Sequence, residues 1–121
     1  MKEDIATRWN EALESGEYKQ NHDEHLKDNT GFCCLGVLCE LAVKDGIISS
    51  AKYRPENEFF SYGGYTAILP PEVMDWAGMA SETGMFLDED ENQSECLTTI
   101  NDSGVKFPEI AKIIKDHWKE L

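Results

Sequence analysis

Four cysteines, three histidines and a dense set of carboxylates are the side chains of this sequence best suited to chemistry. Cys33 follows a polar loop and opens an apolar run, which places it at a helix N-terminus. There the backbone amides lower a thiol's pKa and favour a nucleophile. A thiol enzyme also needs a histidine base, itself oriented by Asn or Asp. His22 and His25 lie in a loop only 8–11 positions before Cys33, and His117 falls within the last helix. No Gly-rich element suggests an oxyanion hole. The string Cys33-Cys34-Leu35-Gly36-Val37-Leu38-Cys39 is therefore expected to be core helix, its small apolar residues filling a tight crossing beside Gly36.

The cysteines also fit poorly as a cross-link or a metal site. Cys34 and Cys39 are separated by about 7.5 Å of helix rise, against about 6.8 Å between Cα atoms at most in a disulfide. Zinc ligands sharing a helix face stand three or four residues apart, a spacing that Cys33, Cys34 and Cys39 do not have. Asp88-x-Asp90-x-Asn92 copies the first three ligand positions of a calcium loop. Gln93 then stands where glycine is required, and Thr99 where a bidentate glutamate belongs. Gly63-Gly64 does not read as a phosphate loop of the P-loop type, because no Lys-Ser/Thr pair follows it. No metal and no cofactor are expected. The aromatics Tyr53, Phe59, Phe60, Tyr62 and Tyr65 read as half-buried sheet, or else as the lining of a pocket that stacks a base.

The elements that must position these groups follow from hydrophobic spacing. Ile5, Trp9, Ala12 and Leu13 make residues 3–15 an amphipathic helix, stopped at Ser15-Gly16. Residues 17–31 are polar loop with a short extended piece at Tyr18-Lys19-Gln20. A second helix over 33–45 is apolar on nearly every side, which makes it central and buried. Residues 47–69 read as two short strands or an irregular hairpin. Pro70-Pro71 sets the first turn of a short helix over 72–79. Residues 85–87 and 96–100 read as strands of a hairpin with an acidic tip at 88–95, and 101–104 as a turn. Pro108 opens a last helix with Ile110, Ile113, Ile114, His117, Trp118 and Leu121 along one stripe. Residues 1–121 thus form a single α+β domain: a central buried helix, with N- and C-terminal amphipathic helices packed on a small antiparallel sheet.

Charge narrows the function. Eleven basic against 24 acidic side chains leave a formal charge of −13. Residues 71–104 hold nine acids and no Lys or Arg. Direct nucleic-acid binding is not expected of such a chain, since it relies on cations to neutralise phosphates. The acidity gives solubility, or else a surface that meets a basic partner by standing in for DNA phosphates. No run of about 18 apolar residues could span a membrane. Met1-Lys2-Glu3-Asp4 leads into a charged helix without an apolar signal stretch, so a cytoplasmic setting is expected.

Several strings also fall in a familiar order: Trp9-x-x-Ala12-Leu13-x-Ser15-Gly16-x-Tyr18-x-Gln20, Phe32 with the cysteine string, and Leu69-Pro70-Pro71 with Trp76-x-Gly78. Leu97 to Asn101-Asp102 and Phe107-x-Glu109-Ile110-Ala111 follow. Over most of its length the chain resembles a family of small bacteriophage and prophage proteins. The resemblance implies a host-cell setting more than a mechanism. Two sets of candidate residues result. Trp9, Tyr18, Gln20, Cys33, Asn101 and Asp102 would form a small polar ligand pocket if their loops converge. Asp88, Glu89, Asp90, Glu91 and Glu95 would form a partner-binding face. The leading expectation is a non-enzymatic phage-type accessory protein that binds a host component of the defence machinery through its acidic face, the partner being a basic, nucleic-acid-handling protein. The alternatives are a small-molecule binder that sequesters a signalling nucleotide, and a cysteine-dependent enzyme using Cys33.

Overall fold

Apolar spacing at the N-terminus becomes helix α1, Glu3–Glu14, whose Ile5, Ala6, Trp9, Asn10 and Leu13 are buried. The computed structural model describes residues 1–90 and 92–121. Glu3 and Asp4 occupy the first turn of α1, where negative charge complements the helix dipole. Gly16, at φ +76°, ends the helix in the left-handed conformation that a side chain disfavours.

Helix α2, Cys34–Lys44, is the centre of the molecule, with eight of its residues buried, Cys34 to Cys39 without interruption. It contacts α1, α3 (Pro71–Ala77) and α4 (Leu97–Asp102). Gly36 is required here because a Cβ would collide with the Leu26 carbonyl. The loop backbone lies directly on the helix at that point.

Helix α5, Phe107–His117, packs most extensively on α1 and also meets α4. The chain ends are stitched to their neighbours. The Met1 amino group donates to Trp118 O at 3.0 Å, Lys2 N–H to Ala77 O at 2.8 Å, and Ala80 N–H to Leu121 O at 2.5 Å.

The chain is a single α+β domain, with its antiparallel structure divided between two two-stranded hairpins. Strand β1, Lys52–Arg54, pairs with β2, Phe59–Ser61, in the register Lys52↔Ser61 and Arg54↔Phe59. Strand β3, Met85–Asp88, pairs with β4, Gln93–Cys96, in the register Met85↔Cys96 and Asp88↔Gln93.

Residues 97–100 differ from the sequence expectation. Strand β4 stops at Cys96, and Leu97-Thr98-Thr99-Ile100 opens α4, which includes Asn101 and Asp102 in its last turn. The β-branched Thr98, Thr99 and Ile100 carry a strand preference. Helical geometry prevails because it turns Leu97 and Asn101, four residues apart, into the interior together.

Candidate functional site

The loop that carries Gln20 and the last turn of α4 that carries Asn101 converge, and the two side chains are hydrogen-bonded to each other. Asn101 is fully buried. Its Oδ1 accepts hydrogen bonds from Gln20 Nε2 at 2.8 Å and from Cys34 N–H at 3.2 Å. Its Nδ2 donates to Asn21 O at 2.8 Å and to Asp102 Oδ1 at 3.3 Å. Gln20 Nε2 also donates to Val105 O, and Gln20 Oε1 accepts from Phe107 N–H. His22 Nδ1 donates to the Asn101 carbonyl at 2.7 Å. Cys34 is the first residue of α2, so Asn101 caps that helix from a distant element. Helix α2 has no side-chain cap from its own N-cap residue, Cys33.

The candidate ligand residues therefore separate into four groups. Gln20 and Asn101 are consumed by this network. Trp9 is fully buried in the core, with its indole N–H donating to Cys34 O at 2.9 Å. Tyr18 stands apart, its hydroxyl accepting from Lys44 Nζ and its ring edge-on to Phe32. Only Cys33 and Asp102 line an open cleft, of about 250 Å³, with Glu24, Thr83, Thr98 and Thr99. Glu24 adopts a left-handed backbone at φ +69°, and its N–H donates to Asp102 Oδ1 at 3.4 Å.

The chemistry of this cleft does not favour a nucleophile. Burial pushes the Cys33 thiol up to about 12, and the amides of Gly36 and Leu35 pull it down too little to compensate. Asp102 adds to the rise through its negative charge. Cys34 and Cys39 are raised well above the usual thiol range by the same desolvation. All four cysteines are free, with Cys96 half-buried and accepting from Thr83 Oγ1. Among the described residues no group of three or more His, Cys, Asp or Glu side chains is placed to hold a metal ion. Two carboxylates and no cation line the cleft, which disfavours an anionic ligand there.

The acidic candidates sit on the β3–β4 hairpin. Asp88 and Glu95 flank Phe86 on the face turned towards α5, where Phe86 packs against the His117 ring at 4.7 Å. Glu89 and Asp90 are exposed at the tip, and Asp90 N–H donates to Asp88 Oδ1. Glu91 lies outside the described residues. The opposite face of β3 holds Met85 and Leu87, which are 47% and 42% exposed. The reading of residues 85–87 as a hairpin strand did not distinguish its two faces. Strict alternation along β3 was the available signal, since it allows only one of the two faces to be buried.

Residues 1–118 match the model of a family described as Domain of unknown function (DUF8296). The chain belongs to that family. No curated protein and no solved structure matches it. The matched span runs from α1 through α5, so the buried network, the cleft and the hairpin all lie within the family's region.

Proposed function

We propose that the protein is a non-enzymatic, phage-type accessory module that binds a basic host protein, with the β3–β4 hairpin as its docking surface. The carrying observation is the pair Met85 and Leu87, side by side on the outward face of a hairpin tipped by Glu89 and Asp90. Fully burying an apolar side chain of this size stabilises by about 1.5–3 kcal/mol, and with 47% and 42% of Met85 and Leu87 exposed the free protein forgoes a little under half of that at each position. Flexible methionine adapts to a partner's contour, and the acidic tip steers a basic surface into register. No helix in the described structure is long and apolar enough to cross a membrane.

Recognition here runs through side chains and not through an added strand. Met85 N–H donates to Ser81 Oγ at 2.8 Å, and Leu87 N–H donates to Glu120 Oε1 at 3.3 Å. Those contacts occupy edge donors that a partner strand would need. The phage-family resemblance of the sequence supplies the host setting of the proposal. The high pKa of Cys33 and the occupied Gln20–Asn101 network argue against the enzymatic reading and against a ligand within that network.

Site-specific photo-crosslinking tests the reading. A photoreactive residue at Leu87 should trap one defined basic protein in host cells, whereas the same group at exposed Tyr53 should not. Equal trapping from both positions would contradict the proposal.

A further inference from the structure

A second concavity, formed by other elements, has the opposite electrostatic character. Lys52 and Arg54 are the only basic side chains between Lys44 and Lys106. They stand two apart on β1 and so share one face of the strand. Both line a cleft of about 400 Å³ with Ser49, Ser50, Gly63 and Gly64, and no carboxylate contributes to its lining. Among the described residues neither cation forms an ion pair. Arg54 Nε donates to the buried Ser61 Oγ at 3.0 Å, which fixes the guanidinium against the strand.

The glycine pair completes the wall. Tyr62 and Tyr65 exchange backbone hydrogen bonds of 2.9 and 3.0 Å across Gly63-Gly64, a two-residue turn. Both glycines have positive φ, +57° and +92°, as such a tight turn requires. Neither glycine N–H has an acceptor among the described hydrogen bonds. Two amides, the Ser49 and Ser50 hydroxyls and two cations are donors suited to phosphate oxygens.

A neighbouring cleft of about 390 Å³ shares Ser49 and Gly63 with the first. Its walls are apolar and aromatic, from Ile47, Ile48, Tyr65 and Pro70. Tyr62 forms part of it and is anchored by its hydroxyl donating to Glu40 Oε2 at 2.7 Å. Glu72 supplies one carboxylate at this end, an acceptor for an exocyclic amine.

We infer that these joined clefts bind a nucleoside phosphate, its phosphates against Lys52, Arg54 and the Gly63-Gly64 turn and its amino-bearing base against Tyr65 and Ile47. The overall charge of −13 opposes a polyanion, so a free nucleotide is favoured over a nucleic-acid strand. The inference is independent of the hairpin proposal, because it uses none of that surface.

Titration of the full chain with adenosine diphosphate, followed by backbone-amide NMR, tests it. Saturable shifts are expected at Ser49, Ser50, Gly63, Gly64 and Tyr65, with a Kd below about 1 mM. Inorganic phosphate should reproduce the shifts at Gly63 and Gly64, and adenosine those at Tyr65. Lys52→Ala with Arg54→Ala should weaken adenosine diphosphate binding by about tenfold or more in protein that stays folded at the titration temperature. No saturable shift at about 5 mM, or an affinity unaltered in the double variant, would overturn the inference. An oligothymidylate binding more tightly than adenosine diphosphate would also overturn it.

Discussion

Asn101→Ala should cost about 3–4 kcal/mol of folding stability, although it removes only a few atoms from the interior. The Asn101 side chain makes four hydrogen bonds, and its loss strands Gln20 Nε2, the Cys34 N–H and the Asn21 carbonyl. An unmade bond at a buried polar group costs about 1–3 kcal/mol. The Cys34 N–H is also a helix-terminal donor, whose cap alone is worth about 1 kcal/mol. Gln20 keeps its contacts to Val105 and Phe107, and water can enter the vacated space, so the three losses do not add in full. In a domain of this size the loss corresponds to a fall of roughly 10–15 °C in Tm. Calorimetric melting and urea denaturation by circular dichroism would both read it, with exposed Thr99→Ala as a control within about 0.5 kcal/mol. An Asn101→Ala loss below about 1 kcal/mol would refute the view that this network ties α4 to α2.

Three further outcomes follow from the same structure. Gly36→Ala should destabilise by at least about 3 kcal/mol in a urea melt, because the added methyl meets the Leu26 backbone and neither α2 nor the loop can withdraw without losing packing. At neutral pH a thiol reagent should modify half-buried Cys96 first and reach Cys33, Cys34 and Cys39 only on unfolding; rapid labelling of Cys33 in the folded protein would revive the thiol-enzyme reading.

The third concerns pH. Burial, then the hydrogen bond and charge of Asp28, push the Asp23 carboxyl up to about 6. Burial also raises Asp28, but hydrogen bonds from Asp23, from the Thr30 side chain and from the Thr30 and Gly31 amides outweigh it and hold that group at about 2. With an unfolded carboxylate near about 3.9, the Asp28 contribution is present above that value and lost as pH falls towards 2. The Asp23 contribution runs the other way: it is present below about 3.9 and lost as pH rises through 6. Asp23→Asn should therefore raise Tm at pH 7.5 relative to the parent and have little effect near pH 3.5; an equal effect at both would refute the assignment.

The elements legible from sequence were those whose burial follows a local period. Ile5, Trp9 and Leu13 mark α1, and Ile110 and Ile114 mark α5, because each helix buries one face against the other. The unbroken apolar string from Cys34 identified α2 as central, and all of it is buried. Local reasoning failed at Leu97–Ile100, where the buried partners that select a helix come from distant segments. Gln20 and Asn101 lie 81 positions apart, and no spacing rule shows that their amides complete each other's hydrogen bonds. The cationic cleft was hidden for the same reason. Lys52 and Arg54 read as ordinary surface charges until the turn at Gly63-Gly64 is placed beside them.

The most direct test of the docking proposal is the affinity of the purified, crosslink-identified partner for the parent protein and for a variant carrying Glu89→Lys and Asp90→Lys. Both positions are exposed, so the variant should melt like the parent. Binding should weaken by at least about tenfold in the variant, and parent binding should weaken as salt is raised. Equal affinity for parent and variant, at low salt and at high salt alike, would contradict it.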